Sequence, residues 1–396
     1  MIRKEAETAD RLRNAGEGIA LVLGLGSVTS VGIIRCLAGY GILIAGLDAS
    51  GKKEWGGASR HCLPIGFSPA GEQALLKALL FIGENAHELP VIFPASDEMV
   101  VFLETHRGAL SSHFHLPCSK RHSVADLCDK SVVKGILGSH GIPTPASEVL
   151  PGSESLSSAS VPFPFVLKPL NSLGYSKSDI FLVRNARDLE KAKKGIRYRP
   201  VLLEEFIPGP PSDMIEIMGY HSKLSDTFHH IVIRKIRQYP PVKGSSSYIE
   251  PVEDQFLSGL GSTIARHLEL DGIMDIELKF SSRDGTCYFI EVNPRCGSPV
   301  LLSRFAGLNL PYLYLQEKMG KIPAIPGPGL NLNYRWVKEY ADWQNILHQP
   351  RSFIRNHSRP GKITVYSLWD IRDIKPFLKL IRASFINSTK VFYENI

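Results

Sequence analysis

A chain of 396 residues with 43% hydrophobic and 21% charged residues is long enough to bury cores for two or three domains, and its composition excludes fibrous and disordered classes. The net charge of +7 favours anionic ligands, but the basic residues are scattered rather than massed in a stripe, which argues against nucleic acid as a partner. Six cysteines without a Cys-x-x-Cys pair suggest reduced thiols and neither a disulfide framework nor a zinc site.

The segment Met1 to Gly18 is charged throughout and lacks the apolar centre of a secretory signal, and no apolar run is long enough to span a bilayer. Ile19 to Gly26 is an apolar run ending in Gly-Leu-Gly, followed by a helix-like stretch to Tyr40 and a second apolar run from Ile42 to Leu47. This is a β-α-β start of the kind that brings backbone amides at a helix N-terminus to an anion. A dinucleotide fingerprint would need a third glycine where Thr29 stands, so a nicotinamide oxidoreductase resting on Gly24 and Gly26 is a rival reading only. A helix is expected from about Pro69 to Ala86. A strand follows at Pro90 to Pro94, then Ser96 or Asp97 as N-cap of a helix through Met99 to Leu103.

Asp129-Lys130 opens a helix ending near Gly138 to Gly141, and Pro151 to Ser160 reads as a loop or linker. Phe163 to Lys168 is strand-like, Asn171 to Ser178 a loop, Ile180 to Val183 a strand, Asp188 to Lys194 a helix, and Val201 to Ile207 a strand stopped by Pro208-Gly209-Pro210-Pro211. A lysine ending one strand, a loop after it and a glutamate-bearing strand beyond suggest a nucleotide cleft between two small sheets. Met214 to Tyr220 and Phe228 to Ile236 continue a sheet and lead into the basic cluster Arg234, Lys235 and Arg237. Gly244 to Ser247 is expected to be a flexible loop. Leu257, Leu260, Ile264 and Leu268 recur at helical spacing and mark a core-facing helix.

The most informative stretch is Met274 to Arg295, two alternating runs around an Asp284-Gly285 turn, hence an antiparallel hairpin. Alternation puts Asp275, Glu277 and Lys279 on one face, and Phe289, Glu291 and Asn293 on one face of the second strand. A register centred on Asp284 sets Glu277 opposite Glu291, with Cβ atoms about 5 Å apart. Two carboxylates that close call for a cation between them. Glu277, Glu291 and the Asn293 amide form an all-oxygen set suited to Mg2+, with Arg295 projecting beside the ion. An exposed acidic face neutralised by Lys279 is the plain alternative.

These parts, in this order, resemble the ATP-grasp superfamily over residues 19 to 320, and within it the D-aspartate ligase-like carboxylate-amine ligases. The resemblance is carried by Glu277 with Glu291-Val292-Asn293-Pro294-Arg295, by Lys130 in Asp-Lys and Lys168 in Val-Leu-Lys-Pro, and by Glu204-Glu205-Phe206-Ile207-Pro208-Gly209. It implies an α/β (α+β) chain: a Rossmann-like N-terminal domain (1–118), a two-lobed ATP-grasp domain (119–200 and 201–320) and a C-terminal extension (321–396). It also implies ATP bound by Lys130, Lys168, the loop residues Ser172, Gly174 and Ser176, the hinge Glu204, Glu205, Phe206 and Ile207, and Asp213 at the ribose. Mg2+, with Mn2+ as a substitute, would be held by Glu277, Glu291 and Asn293, and catalytic roles fall to Arg295, Arg234 and Lys235. The loop Asn171 to Lys177 is poorer in glycine than the usual lid. The implied enzyme is a cytoplasmic ligase joining a small-molecule carboxylate to an amine, with a homodimer as the default assembly and no membrane partner. Carboxylation, plain phosphoryl transfer and nucleotide sensing without catalysis use the same ATP residues.

Overall fold

The computed structural model describes residues 2–50, 54–63, 70–119, 121–158, 160–175, 179–241, 243–322, 329–348, 350–351, 354 and 361–382. The chain divides into two units, one made of Met1–Pro117, Arg295–Asn331 and Thr364–Ile396, the other of Cys118–Pro294 and Leu332–Ile363.

In the first unit β1 (Ile19–Leu23), β2 (Leu43–Leu47) and β3 (Val91–Pro94) form a parallel sheet in the order β2-β1-β3. Every residue of β1 and β3 is buried, as expected of strands covered on both faces. The turn after β1 needs Gly24 at φ +87°, and the next amide, Leu25, donates to the Asp48 carboxylate at 2.7 Å. Ser27 then caps the helix Val28–Leu37. Ser96 does the same for Asp97–Thr105, so of the two N-cap candidates the serine holds the position.

The second unit contains β4 (Cys118–Ser119), β5 (Ser147–Leu150), β6 (Phe165–Pro169), β7 (Phe181–Val183), β8 (Val201–Glu205), β9 (Met214–Ser222), β10 (Thr227–Tyr239), β11 (Ser245–Val252), β12 (Leu270–Asp271), β13 (Ile273–Ser281), β14 (Thr286–Asn293) and β15 (Tyr334–Val337). A small antiparallel sheet runs β5-β8-β6-β7, and a large one runs β14-β13-β9-β10-β11-β15. The helix Gln255–Leu268 lays Leu257, Ile264 and Leu268 in the core. Its Gly261 leaves room for Ile217 of β9, which a Cβ would approach to 2.9 Å.

One expectation is revised. Ser245 to Ser247 belong to β11 instead of a flexible loop. Their hydroxyl-rich pattern conceals a strand because the buried polar side chains are satisfied internally: Ser246 by Glu216, Ser247 by Asp342 at 3.0 Å. Residues 119–294 fall in one unit. Residues 321–396 are divided between the two units. Leu332–Ile363 belongs with the second unit, where β15 pairs with the edge of β11 and Asp342 receives a fully buried, two-pronged ion pair from Arg237 (2.8 and 2.7 Å).

Candidate active site

The β13–β14 hairpin forms in the expected register, with Glu277 opposite Glu291 and Asp275 opposite Asn293. One detail differs. A bulge after Glu277 leaves Ile290 unpaired and sets Phe289 opposite Leu278, so Phe289 lies on the apolar face and not with Glu291 and Asn293. Phe289 is accordingly fully buried, while Ile290 and Glu291 both reach a cleft on the polar side.

That cleft, about 410 Å³, lies wholly within the second unit, with walls from both of its main sheets. Val166, Ile180, Leu182, Met214 and Ile290 supply an apolar slot; Lys168, Lys235, Lys279, Glu277 and Glu291 supply charge. The volume and mixed lining suit a small organic anion with an apolar part. Glu204, Glu205, Phe206 and Ile207 border it after β8. The amides of Glu205 and Phe206 are taken by the carbonyls of Ala146 (2.8 Å) and Pro164 (3.1 Å). The Ile207 amide has no such bond among the described residues.

A cluster of buried charge stands behind the cleft wall. Lys168 Nζ donates to Glu204 Oε1 at 2.7 Å, Lys134 Nζ lies against Glu204 Oε2, and Lys130 Nζ is 3.4 Å from Glu291 Oε2. Burial, followed by the neighbouring Lys168 charge, pushes the Lys134 ammonium well below the usual lysine range; Glu291 opposes the shift and Lys130 adds to it. Lys134 carried no signal as a site residue in the sequence. Its only mark is a position four residues after Lys130, on the same helix face.

The other expected residues are placed as follows. Ser172 is exposed, Gly174 has φ +70°, and Ser176 lies outside the described residues. Asp213 borders Lys279, whose ammonium is pushed down by burial, held up by Asp213 and pushed down again by Lys235. Strand alternation admits only one member of the Arg234-Lys235 pair: Lys235 is buried and lines the cleft, whereas Arg234 is exposed on the other face. Arg237, third in that basic run, is the partner of Asp342. Arg295 belongs to the first unit, where it donates to Asp97 Oδ1 at 2.6 Å and to the Cys296 carbonyl at 3.1 Å.

The donor set fits a hard cation. Glu277 faces Glu291 across the ladder and has no hydrogen-bond or ion-pair partner among the described residues. No group of three or more His, Cys, Asp or Glu able to hold a metal ion occurs among those residues. Two carboxylates and an amide would therefore need ligand or water oxygens to complete a shell, which is the habit of Mg2+ beside phosphates.

Residues 221–340 match a family model described as ATP-grasp in the biosynthetic pathway with Ter operon. A crystal structure of the ADP complex of N5-carboxyaminoimidazole ribonucleotide synthetase superposes with a TM-score of 0.63 at 18% identity, covering 85% of each chain. The chain has the ATP-grasp fold. An L-amino acid ligase from Bacillus licheniformis shares this fold with a TM-score of 0.55 at 18% identity, covering 76% of this chain and 74% of that one. In sequence, the carbamoyl-phosphate synthase of Methanobrevibacter smithii is 26% identical over 253 residues, which are 57% of this chain and 66% of that protein. The match thus spans just under two thirds of that relative. The fold is the Rossmann-like N-terminal domain and two-lobed ATP-grasp domain implied by the sequence. No helix among the described residues is long and apolar enough to cross a membrane.

Proposed function

We propose that this protein is an ATP-dependent carbon-nitrogen ligase that activates a small carboxylate and transfers it to an amine. The observation that carries the reading is the cleft itself, which sets an apolar slot and an amide with no partner among the described residues beside buried lysines and a carboxylate pair in register. The adenine would lie against Val166, Leu182, Met214 and Ile290, with the Ile207 amide as its hydrogen-bond donor and Asp213 near the ribose. Lys168, Lys130 and Lys235 would offset the negative charge of the phosphates. Glu277, Glu291 and Asn293 would hold Mg2+, which supplies neutralisation of the phosphate oxygens when bound.

In the reaction a carboxylate oxygen attacks the γ-phosphorus, and the bond from that phosphorus to the β-γ bridging oxygen breaks. ADP leaves and an acylphosphate remains. The amine nitrogen then attacks the acyl carbon, inorganic phosphate departs, and the nitrogen gives up a proton to form the amide. Such chemistry depends on positioning and charge neutralisation more than on a covalent protein intermediate. Strand alternation favours Lys235 over Arg234 as the cation facing the reacting groups.

The test follows ADP, AMP and phosphate separately while a panel of carboxylates is crossed with amines, with mass detection of products. Substrate-dependent ADP and phosphate, with a product equal to acid plus amine minus water, is the expected result. AMP would overturn the acylphosphate route. A second reading, carboxylation through the same nucleotide site, is prompted by the carboxyaminoimidazole synthetase and biotin carboxylase folds among the structural neighbours. It predicts ADP formation that depends on bicarbonate and a product heavier by one CO2.

A further inference from the structure

Lys134 is a buried lysine behind the cleft wall to which the reaction above gives no role, and its surroundings specify one. Glu204 presents one oxygen to Lys168 and the other to Lys134, and the three side chains are all about 5% exposed. The helix Lys130–Ser139, fixed at its start by the Asp129 N-cap, sends Lys130 to Glu291 on β14 and Lys134, one turn later, to Glu204 on β8. One rigid element therefore sets the strand before the hinge and the strand of the carboxylate pair in register with each other. Electrostatics makes the arrangement directional. With both oxygens of Glu204 free, Lys168 could be drawn away from the cleft; with Lys134 at one oxygen, only the other is left to hold Lys168.

We infer that Lys134 is a positioning residue: by occupying Glu204 Oε2 it fixes Lys168 at the cleft wall and leaves that ammonium cationic toward the phosphate chain of a bound nucleotide. This rests on the nucleotide reading of the cleft. Direct contact between Lys134 and nucleotide is not part of it, because Lys134 does not line the cleft whereas Lys168 does.

A double-mutant cycle on the full chain tests the inference, with Mg·ADP binding measured by calorimetry and unfolding midpoints measured without nucleotide. Lys168→Met and Lys134→Met are each expected to weaken Mg·ADP on the order of ten-fold, the loss of one charged contact. The double variant is expected to bind no more weakly than Lys168→Met within about two-fold, since Lys134 acts only through Lys168. Lys134→Gln retains a donor for Glu204 and should fall between wild type and Lys134→Met; it stands in for Lys134→Met should that variant fail to fold. Wild-type affinity in a folded Lys134→Met protein would overturn the inference, as would losses that multiply to about a hundred-fold in the double variant. Absence of Mg·ADP binding by the folded wild type is a separate outcome, which removes the nucleotide reading and the inference with it.

Discussion

Two clusters of buried charge in the second unit are built on opposite plans. Around Arg237 the books balance: one guanidinium meets one carboxylate through two bonds, both side chains are fully buried, and Ser247 and Asn345 stand at the Asp342 oxygen. Around Glu204 and Glu291 three lysines share two carboxylates. A satisfied, neutral pair has nothing left to offer and ties β10 to the helix Glu339–His348. The cleft cluster, with Glu277 facing Glu291 across the ladder, still has charge to offer a bound ion. Burial alone does not mark a functional charge; imbalance beside an open volume does.

The largest expected effect falls on the negative side of the unbalanced cluster. Glu291→Ala should abolish Mg-dependent turnover while leaving the fold intact, because Glu291 is half-buried at the end of a hairpin whose apolar face is untouched. Normal turnover in that variant, with circular dichroism unchanged, would refute the metal assignment. Next comes the balanced pair. Asp342→Ala leaves the Arg237 charge buried alone and should cost about 3 to 5 kcal/mol of unfolding free energy in urea titrations. The paired replacement Arg237→Met with Asp342→Leu should restore most of that loss, since an apolar pair of similar volume avoids both desolvation penalties. A paired variant as unstable as Asp342→Ala would show that the surrounding hydrogen bonds, and not the charge, hold the site together.

Lys235 and Arg234 sharpen the contrast within three bonds of backbone. Lys235→Ala should weaken Mg·ATP or lower turnover on the order of ten-fold, whereas Arg234→Ala should change neither by more than about two-fold. Equal effects at the two positions would mean that the face assignment from β10 is wrong.

Much of this was legible before the structure. The hairpin register followed from Asp284-Gly285 and strict alternation, because a period of two leaves few alternatives once a turn is fixed. The exact facing of Phe289 was not, since a one-residue bulge at Ile290 has no glycine or other local mark to betray it. β11 was hidden for a related reason: strand signals are apolar, and Ser245 to Ser247 sit in the sheet on the strength of partners 30 and 95 residues distant. Lys134 was invisible because a lysine on a helix reads as a solvated one. Only the tertiary approach of Glu204 turns it inward. Sequence pattern reports faces well and long-range polar partners poorly.

The smallest effect tests the turn on which that register depends. The Asp284 carboxylate accepts from the Thr286 amide at 3.0 Å and from the Tyr288 hydroxyl at 3.0 Å, and these bonds hold its pKa down to about 2 from an ordinary 3.8. A carboxylate whose folded pKa lies below its unfolded value adds stability that is fully present above the unfolded pKa, and that contribution disappears as pH falls through the folded one. Asp284→Asn keeps the turn chemistry, because Asn-Gly serves such turns as well as Asp-Gly, and removes only the charge. The variant should therefore be slightly less stable than wild type near neutral pH, with the difference narrowing between about pH 4 and about pH 2. The group is exposed, so solvent screening keeps the effect small. A gap between the two proteins that stays constant across that acid range would show that the turn depends on shape and not on the ionised carboxylate. The register of the carboxylate pair would then owe nothing to Asp284's charge.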